Sequence, residues 1–470
     1  MALRVQDQSP AVLAMAAAWP IVNALLGGTM AMRAAGASLL PKWPNEEQKS
    51  YEARLATATL FPAFPRTVGV MVGKPTSKQL TLGDDVPPKV AELMDDVDRQ
   101  GSSLHAFVIQ LLFEVMGPGI AGVLVDHPPA VGIVTVADER KAALRPYAVL
   151  IRHDQVLGWK SETVDGIERL TQLRIAEARE VDDGEYGTKA IRRVRVLRRG
   201  SYEVWEEAAD KSAYIRVDEG KTTVQDIPYV PFYGKKKGFM VGAPPLLDVA
   251  YLNVKHWQSQ SDQDTIMHVA RVPILALMGI EDDKEITVGS GSAIKLPQGG
   301  DAKYVEHTGK AIEAGAASLE ALEQQMIQAG AELLVMKPGP QKTATQASGD
   351  AEANKSDLQR IVESTEDGLD RVLQLFGDWI GEKQAGHVSL FKDFGVGNLS
   401  DASAQLVLDM RNSGLISKKT ALLEQQRRGV LSPDIVPEDE IEDADADGPP
   451  LGTMTDPAND PGGTGGGNGQ

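Results

Sequence analysis

The chain has 470 residues, 42% of them apolar and 5% aromatic, with no cysteine and a formal net charge of −18. That length exceeds one ordinary core and predicts two or more domains. The lack of cysteine excludes disulfides, thiolate metal sites, iron–sulfur clusters and cysteine nucleophiles.

From Leu431 to Gln470 there are ten Asp/Glu and no Lys/Arg, so −10 of the charge lies in the C-terminal tail and the other 430 residues carry −8. A mildly acidic body has the wrong sign for gripping nucleic acid, so any DNA contact is expected to be local or weak.

The N-terminal run "AVLAMAAAWPIVNALLGG" is apolar, but Asp7 and Gln8 precede it and Pro20 and Asn23 interrupt it. It is expected to belong to the fold and not to act as a signal peptide. No other stretch is long and apolar enough for a membrane span. "EEQKSYEARLATATLF" has helical spacing. "SSLHAFVIQLLFEVMGPG" predicts a buried helix with Ser102 as N-cap, and "IAGVLVDHP" a buried strand.

From about 146 to 232 apolar and charged residues alternate at period two, which predicts an antiparallel sheet with one wet face. A long helix over about 245–271 follows. Its middle, "QSQSDQDT", is polar for two turns and is expected to meet water, a channel or a neighbouring subunit at Gln258, Gln260, Asp262, Gln263 and Asp264. Residues 274–306 hold four short strand-like segments. The next helix carries a heptad-like stripe of Ile312, Ala316, Leu319, Met326, Gly330 and Leu333. A polar stretch, 335–350, separates it from a third long helix with an apolar face of Leu358, Ile361, Thr365, Leu369, Val372, Phe376 and Trp379. Sixteen residues are more than a helix–helix connection ordinarily needs. "SDASAQLVLDMRNSG" and "ISKKTALLEQQRRG" predict a helical hairpin with Ser400 and Ser417 as N-caps. From 432 the composition predicts disorder.

Chemistry is sparse. "GVMVGKPTSK" lacks phosphate-loop spacing and has Pro75 where Ser or Thr belongs, so it reads as a turn. "TVGSGSA" reads as a hairpin turn and "KKKG" (Lys235–Gly238) as a solvated basic loop. Asp126 and His127 end a strand and are the best acid–base candidates, but a capping or turn role is favoured. The seven histidines show no two-histidine metal spacing. No catalytic residue, metal or cofactor is expected.

The order of these pieces resembles the portal (connector) proteins of tailed double-stranded DNA bacteriophages, within a group known mainly as an uncharacterised-domain family. The residues that carry it are "YEARL…RTVGVMVGKP", "DDVDRQGSSLHAFVIQLLFEVMGPGIAGVLVDHPP", "PLLDVAYLNVKHWQSQSDQDTIMHVARVPILALMG", "AIKLPQGGDAKYVEHTG", "LEALEQQMIQAGAELL" and "GLISKKTAL". The resemblance spans roughly residues 15–430.

The resemblance implies an α+β portal fold: a helical stem, a small β clip, a mixed α/β wing and a short helical crown, assembled as a ring, usually of twelve subunits. The wing is then 1–240, the stem helices 241–273 and 309–334, and the clip 274–308. The tunnel loop is 335–350, the spine helix 351–385, the wing return strand 386–399, the crown 400–431 and the acidic tail 432–470.

It also implies a channel at one capsid vertex for sequence-independent passage of viral DNA. The tunnel loop would present Lys337, Gln341, Lys342, Thr343, Thr345 and Gln346 to that DNA, and the clip would present Glu281, Asp282, Asp283 and Lys284 to partners. Those partners would be the terminase, the major capsid protein and a head–tail adaptor, in a virion assembled in the bacterial cytoplasm. The runner-up is a head–tail adaptor or scaffold without a DNA channel.

Overall fold

The computed structural model of the protein describes residues 3–128, 144–222, 224–270, 274–278, 301–305, 310–332, 356–392, 411, 414, 416–427, 431 and 435–446. It divides into two units, 1–392 and 393–470.

The first unit mixes helix and strand. Its helices are α1 (Pro10–Ala16), α2 (Trp19–Leu26), α3 (Gly28–Ala35), α4 (Gln48–Thr57), α5 (Ala63–Gly73), α6 (Pro88–Ala91) and α7 (Leu104–Met116), then α8 (Leu247–Ala270), α9 (Lys310–Ala331) and α10 (Asp357–Ile380). The apolar N-terminal run is cut into α1–α3 by a break at Ala17–Ala18 and by Gly27, and it buries Val12, Trp19, Val22, Leu25 and Met32. The predicted turn at Gly69–Gly73 is instead the end of α5. Phe64, Val68, Met71 and Val72 bury one helical face there, which outweighs the helix cost of the two glycines. The N-cap of α7 is Ser103, one residue past the expected Ser102; its side chain accepts from the Ala106 amide.

The strands are β1 (Thr81–Leu82), β2 (Ile120–Asp126), β3 (Tyr147–Ile151), β4 (Val156–Val164), β5 (Ile167–Asp183), β6 (Gly187–Arg198), β7 (Ser201–Glu207), β8 (Tyr214–Lys221), β9 (Tyr229–Tyr233), β10 (Lys235–Gly238), β11 (Val241–Ala243), β12 (Ile274–Met278), β13 (Asp301–Val305) and β14 (Val388–Ser389). β3-β2-β9 form one antiparallel sheet and β4 to β8 a five-stranded meander. β10 pairs with β11, so Lys235–Gly238 is a strand and not the loop expected from its charge. β12 pairs with β13 as an antiparallel hairpin. The other two strand-like segments expected in 274–306 lie outside the described residues.

One core joins the N-terminal helices to both sheets through Val12, Trp19, Ile120, Leu124, Ile151, Leu173, Ile175 and Tyr229. Arg195 on β6 ties the sheets together. Its Nη1 lies 2.5 Å from Asp126 at the end of β2, and its Nε 2.8 Å from Glu177 on β5. Burial opposes the charge on Arg195, but the two carboxylates outweigh it and hold the guanidinium above its ordinary value.

α10 is the predicted third long helix. It starts at Asp357, capped by Ser356 in a capping box with Gln359, and ends at Gly381 in the left-handed conformation. Leu358, Ile361, Thr365, Leu369, Val372 and Phe376 are buried, and Trp379 is half-buried. Polar side chains along α10 hold the return segment. Gln374 accepts from the Ala385 amide, Asp370 from Val388 and Glu366 from Leu390, while Gln359 donates to the Lys392 carbonyl. That segment then pairs β14 with β1.

In the second unit, α11 (Lys418–Arg427) has the Ser417 hydroxyl accepting from the Thr420 amide, the capping expected there. Ser400 and the rest of the predicted partner helix lie outside the described residues, apart from Arg411 and from Gly414, which is left-handed. A helix, α12 (Pro437–Ala446), forms where disorder was expected. Pro437 opens it, Glu438, Asp439 and Glu440 suit the positive end of its dipole, and Lys419 pairs with Glu438.

Two glycines give opposite tests of this packing. A Cβ on Gly368 in α10 would come within 2.5 Å of the buried Phe232 ring, whereas one on Gly69 in α5 meets nothing within 4 Å. Gly69→Ala is expected to raise stability by up to about 1 kcal/mol through helix propensity. Gly368→Ala is expected to lower it by about 1–2 kcal/mol, because overpacking outweighs the same gain. Urea denaturation of the two variants beside the parent checks both signs.

Candidate functional site

The most distinctive assembly is the arm made by α8, the β12–β13 hairpin and α9. The two helices run antiparallel: His256 lies beside Glu323, and Gln263 beside Ile312 and Gly315. The hairpin continues that correspondence, with Ile274 opposite Val305 and Met278 opposite Asp301. Each step outward along one side is therefore matched by a step back along the other. At 1.5 Å per residue α8 is about 36 Å long and α9 about 33 Å.

α8 changes character along its length. Its first half is a core helix, with Val249, Ala250, Asn253, Val254, His256 and Trp257 buried. Asn253, fully buried, donates to the Phe61 carbonyl at 2.8 Å and accepts from the Phe64 amide at 2.9 Å. One side chain thus caps the start of α5 and fixes it against α8. Apolar burial stops at Trp257, and the predicted polar belt begins.

The belt divides between inside and outside. Gln263 is only 6% exposed and donates to the Ile312 carbonyl of α9 at 2.9 Å. Gln258 donates to the Leu39 carbonyl at 2.9 Å, and Ser261 is buried beside Arg54. The expectation that this belt faces only water, a channel or a neighbour is corrected for Gln263, which is buried within the chain. A long polar helix packs inside one chain when each amide finds a backbone carbonyl, because the hydrogen bond offsets the desolvation. Asp264 remains exposed and Gln260 half-exposed, and the two bond to each other one turn apart.

Asp262 sits between these classes. Burial pushes its carboxyl up from the ordinary value, partly opposed by Arg54. Arg54 on α4 is the node beside it. The residue is 7% exposed, and its guanidinium forks onto Glu46 with both bonds at 2.8 Å, donates to the Pro41 carbonyl and stacks 4.2 Å from the Trp43 ring centre. Hydrogen bonding from Arg54 holds the Glu46 carboxyl below its ordinary value.

Between this node and the outer half of α8 lies a groove of about 900 Å³. Trp43, Glu47, Asp264 and His268 are among its walls. Sequence reasoning missed Arg54, Glu46 and Asn253. "EEQKSYEARL" holds both members of the ion pair, but nothing in it says that the pair is buried.

Asp126 and His127 are occupied structurally. Asp126 accepts from Arg195, from the His127 amide and from the Tyr147 hydroxyl at 3.4 Å, and His127 stacks on Trp379. Among the described residues no group of three or more Asp, Glu or His is placed to hold a metal ion, and no helix is long and apolar enough to cross a membrane. The proposed DNA-facing residues Lys337, Gln341, Lys342, Thr343, Thr345 and Gln346 lie outside the described residues. So do the clip residues Glu281, Asp282, Asp283 and Lys284.

A family described as a domain of unknown function (DUF4055) matches residues 245–380, the arm and α10 together. No curated protein matches. Among solved structures, the chain is similar to one in the neck of an empty GTA particle computed with C6 symmetry, at 13% identity and TM-score 0.42, covering 77% of this chain and 89% of that one. It is also similar to a chain of the virion of a native gene transfer agent (GTA) particle, at 13% identity and TM-score 0.39, covering 83% and 98%. A chain in the neck of the native GTA particle computed with C12 symmetry has 12% identity and TM-score 0.40, covering 85% and 99%.

The Arg54–Glu46 pair generates a pH-dependent prediction. Glu46 is depressed from 4.5, so its contribution is complete above pH 4.5 and is lost as pH falls through the folded-state value. Glu46→Gln leaves the buried guanidinium without its counter-charge and is expected to cost about 3 kcal/mol at pH 7. The difference from the parent should shrink steadily below pH 4.5 in urea titrations at a series of pH values.

Proposed function

We propose that this chain is the portal subunit of a tailed-phage-like particle. In this reading it is a ring-forming protein through whose centre double-stranded DNA is packaged and released. The observation that carries the reading is the arm: two long antiparallel helices, kept in step, with a β hairpin at the end away from the wing sheets. That is the stem-and-clip arrangement implied by the sequence resemblance. The names of the similar structures, necks and a virion, point the same way but add no independent weight.

Within this reading Gln260 and Asp264 belong to the wall of the channel or to the contact between copies. The hairpin end meets terminase during filling and the head–tail adaptor afterwards, and the wing meets the major capsid protein. The segment 335–350 carries Lys337 and Lys342 among Gln, Thr, Ser and Gly. Two cations per copy, repeated around a ring, touch phosphates weakly at many points. Sequence-independent passage needs contacts of that kind, since strong phosphate neutralisation would hold the DNA still. Pumping belongs to a separate ATPase, in keeping with the failed phosphate-loop spacing. The adaptor reading has no use for a long polar connection between two stem-length helices.

Deletion of Lys342–Gly349 tests this assignment. The account expects the variant to assemble like the parent and to give particles that package or retain less DNA, measured by nuclease-protected DNA per particle. Loss of assembly would make the segment a packing element and contradict its assignment as a DNA-facing loop.

A further inference from the structure

β5 and β6 are longer than the sheet that holds them. β4 pairs with β5 only as far as Ile175, and β7 pairs with β6 only from Arg193 onward. The six rows from Ala178–Arg192 to Asp183–Gly187 have no third strand on either side. At about 3.4 Å per residue they form a ribbon projecting about 20 Å. Every residue from 178 to 192 is exposed except Val181 and Ile191, which are half-buried and share one face. A two-stranded ribbon with no packed face gains little stability by itself, and its free edges invite pairing. Its tip carries Asp182, Asp183 and Glu185, with Tyr186 93% exposed.

The charges at the base of the sheet are paired within the chain. Arg193 reaches Glu206, Arg198 reaches Glu203, and Arg199 reaches Glu162 and Asp226. The three carboxylates at the ribbon tip have no ion-pair partner among the described residues. Neither do Lys235, Lys236 and Lys237, three exposed lysines in a row on β10. The arm tip thus offers three carboxylates without a cationic partner, Glu185 accepting only from the Tyr186 hydroxyl and Lys189 lying further down the ribbon. The body offers three lysines without an anionic partner, Lys236 lying 5.2 Å from the centre of the Tyr233 ring.

We propose, resting on the ring reading above, that the β5–β6 ribbon of one copy docks on the next copy. Asp182, Asp183, Glu185 and Tyr186 then meet Lys235–Lys237 of that neighbour. Arm and patch are different surfaces of the same chain, so the contact is head-to-tail, the class that closes into rings. Tyr186 supplies the amphipathic ring that interfaces favour. The charges set register and salt dependence more than affinity, since each exposed pair is worth little alone.

The test uses the full chain and mass photometry across concentration and salt. Asp182→Lys/Asp183→Lys/Glu185→Lys and Lys235→Glu/Lys236→Glu/Lys237→Glu are each expected to raise the half-assembly concentration about tenfold, which corresponds to about 1.4 kcal/mol. Combining the six changes is expected to restore it. Thermal melts identify any variant that fails to fold. In that case a chain with Tyr186→Cys and Lys236→Cys decides, because the parent has no cysteine and a disulfide-linked multimer that neither single-cysteine chain gives reports this contact. Rings that assemble normally in both reversed sets, or no cross-link in an assembled double-cysteine chain, overturn the docking and leave the ring reading standing. Weakening by each set without rescue by the combination means that arm and patch meet other surfaces of the neighbouring copies, and overturns it too. A parent chain that stays monomeric at every concentration overturns the ring reading and this contact together.

Discussion

Two buried amides on α8 decide how the arm sits on the body. Asn253 satisfies a carbonyl and an amide at the entrance to α5, and Gln263 reaches the backbone of α9. Neither has water to fall back on, so a rotation of α8 about its axis would strand both at the cost of burying unpaired polar groups. Apolar contacts alone would tolerate sliding. The amides fix register, and the strict correspondence between outgoing and returning strands of the hairpin follows from it.

The body supports that arm by an equally directional device. Arg54, held by Glu46 and lying against Trp43, anchors the segment between Pro41 and α4 against the outer half of α8. Arg195 does the corresponding work between the two sheets, where Asp126 and Glu177 converge on it. Both guanidiniums have more than one partner, Arg54 in nearly dry surroundings and Arg195 half-buried. A lysine has one compact charge and could not serve several acceptors at fixed angles. Aromatic rings mark where α10 meets the body, Phe232 against Gly368 and Trp379 against His127.

Long periodic elements were legible. The apolar faces of α7 and α10 and the alternation of β3 to β8 follow from burying one side of a helix or sheet, a local property. Positions that depend on distant partners were not. Gln263 reads as a surface residue, and only the arrival of the Ile312 carbonyl makes it a core one. Lys235–Gly238 reads as a loop because three lysines resist burial; as a strand it keeps them exposed while its backbone pairs with β11. Pro437–Ala446 reads as disordered by composition, yet its carboxylates are placed where a helix start favours them. Of the candidate site, the polar belt was legible as a feature but not its division between inside and outside. Arg54 and Asn253 carried no sequence signal.

The claim on which the rest turns is that the arm builds the wall of a ring. Negative-stain electron microscopy of the purified chain tests it most directly. The account predicts closed rings with a central hole wide enough for duplex DNA. Compact monomers at all salt concentrations would contradict it.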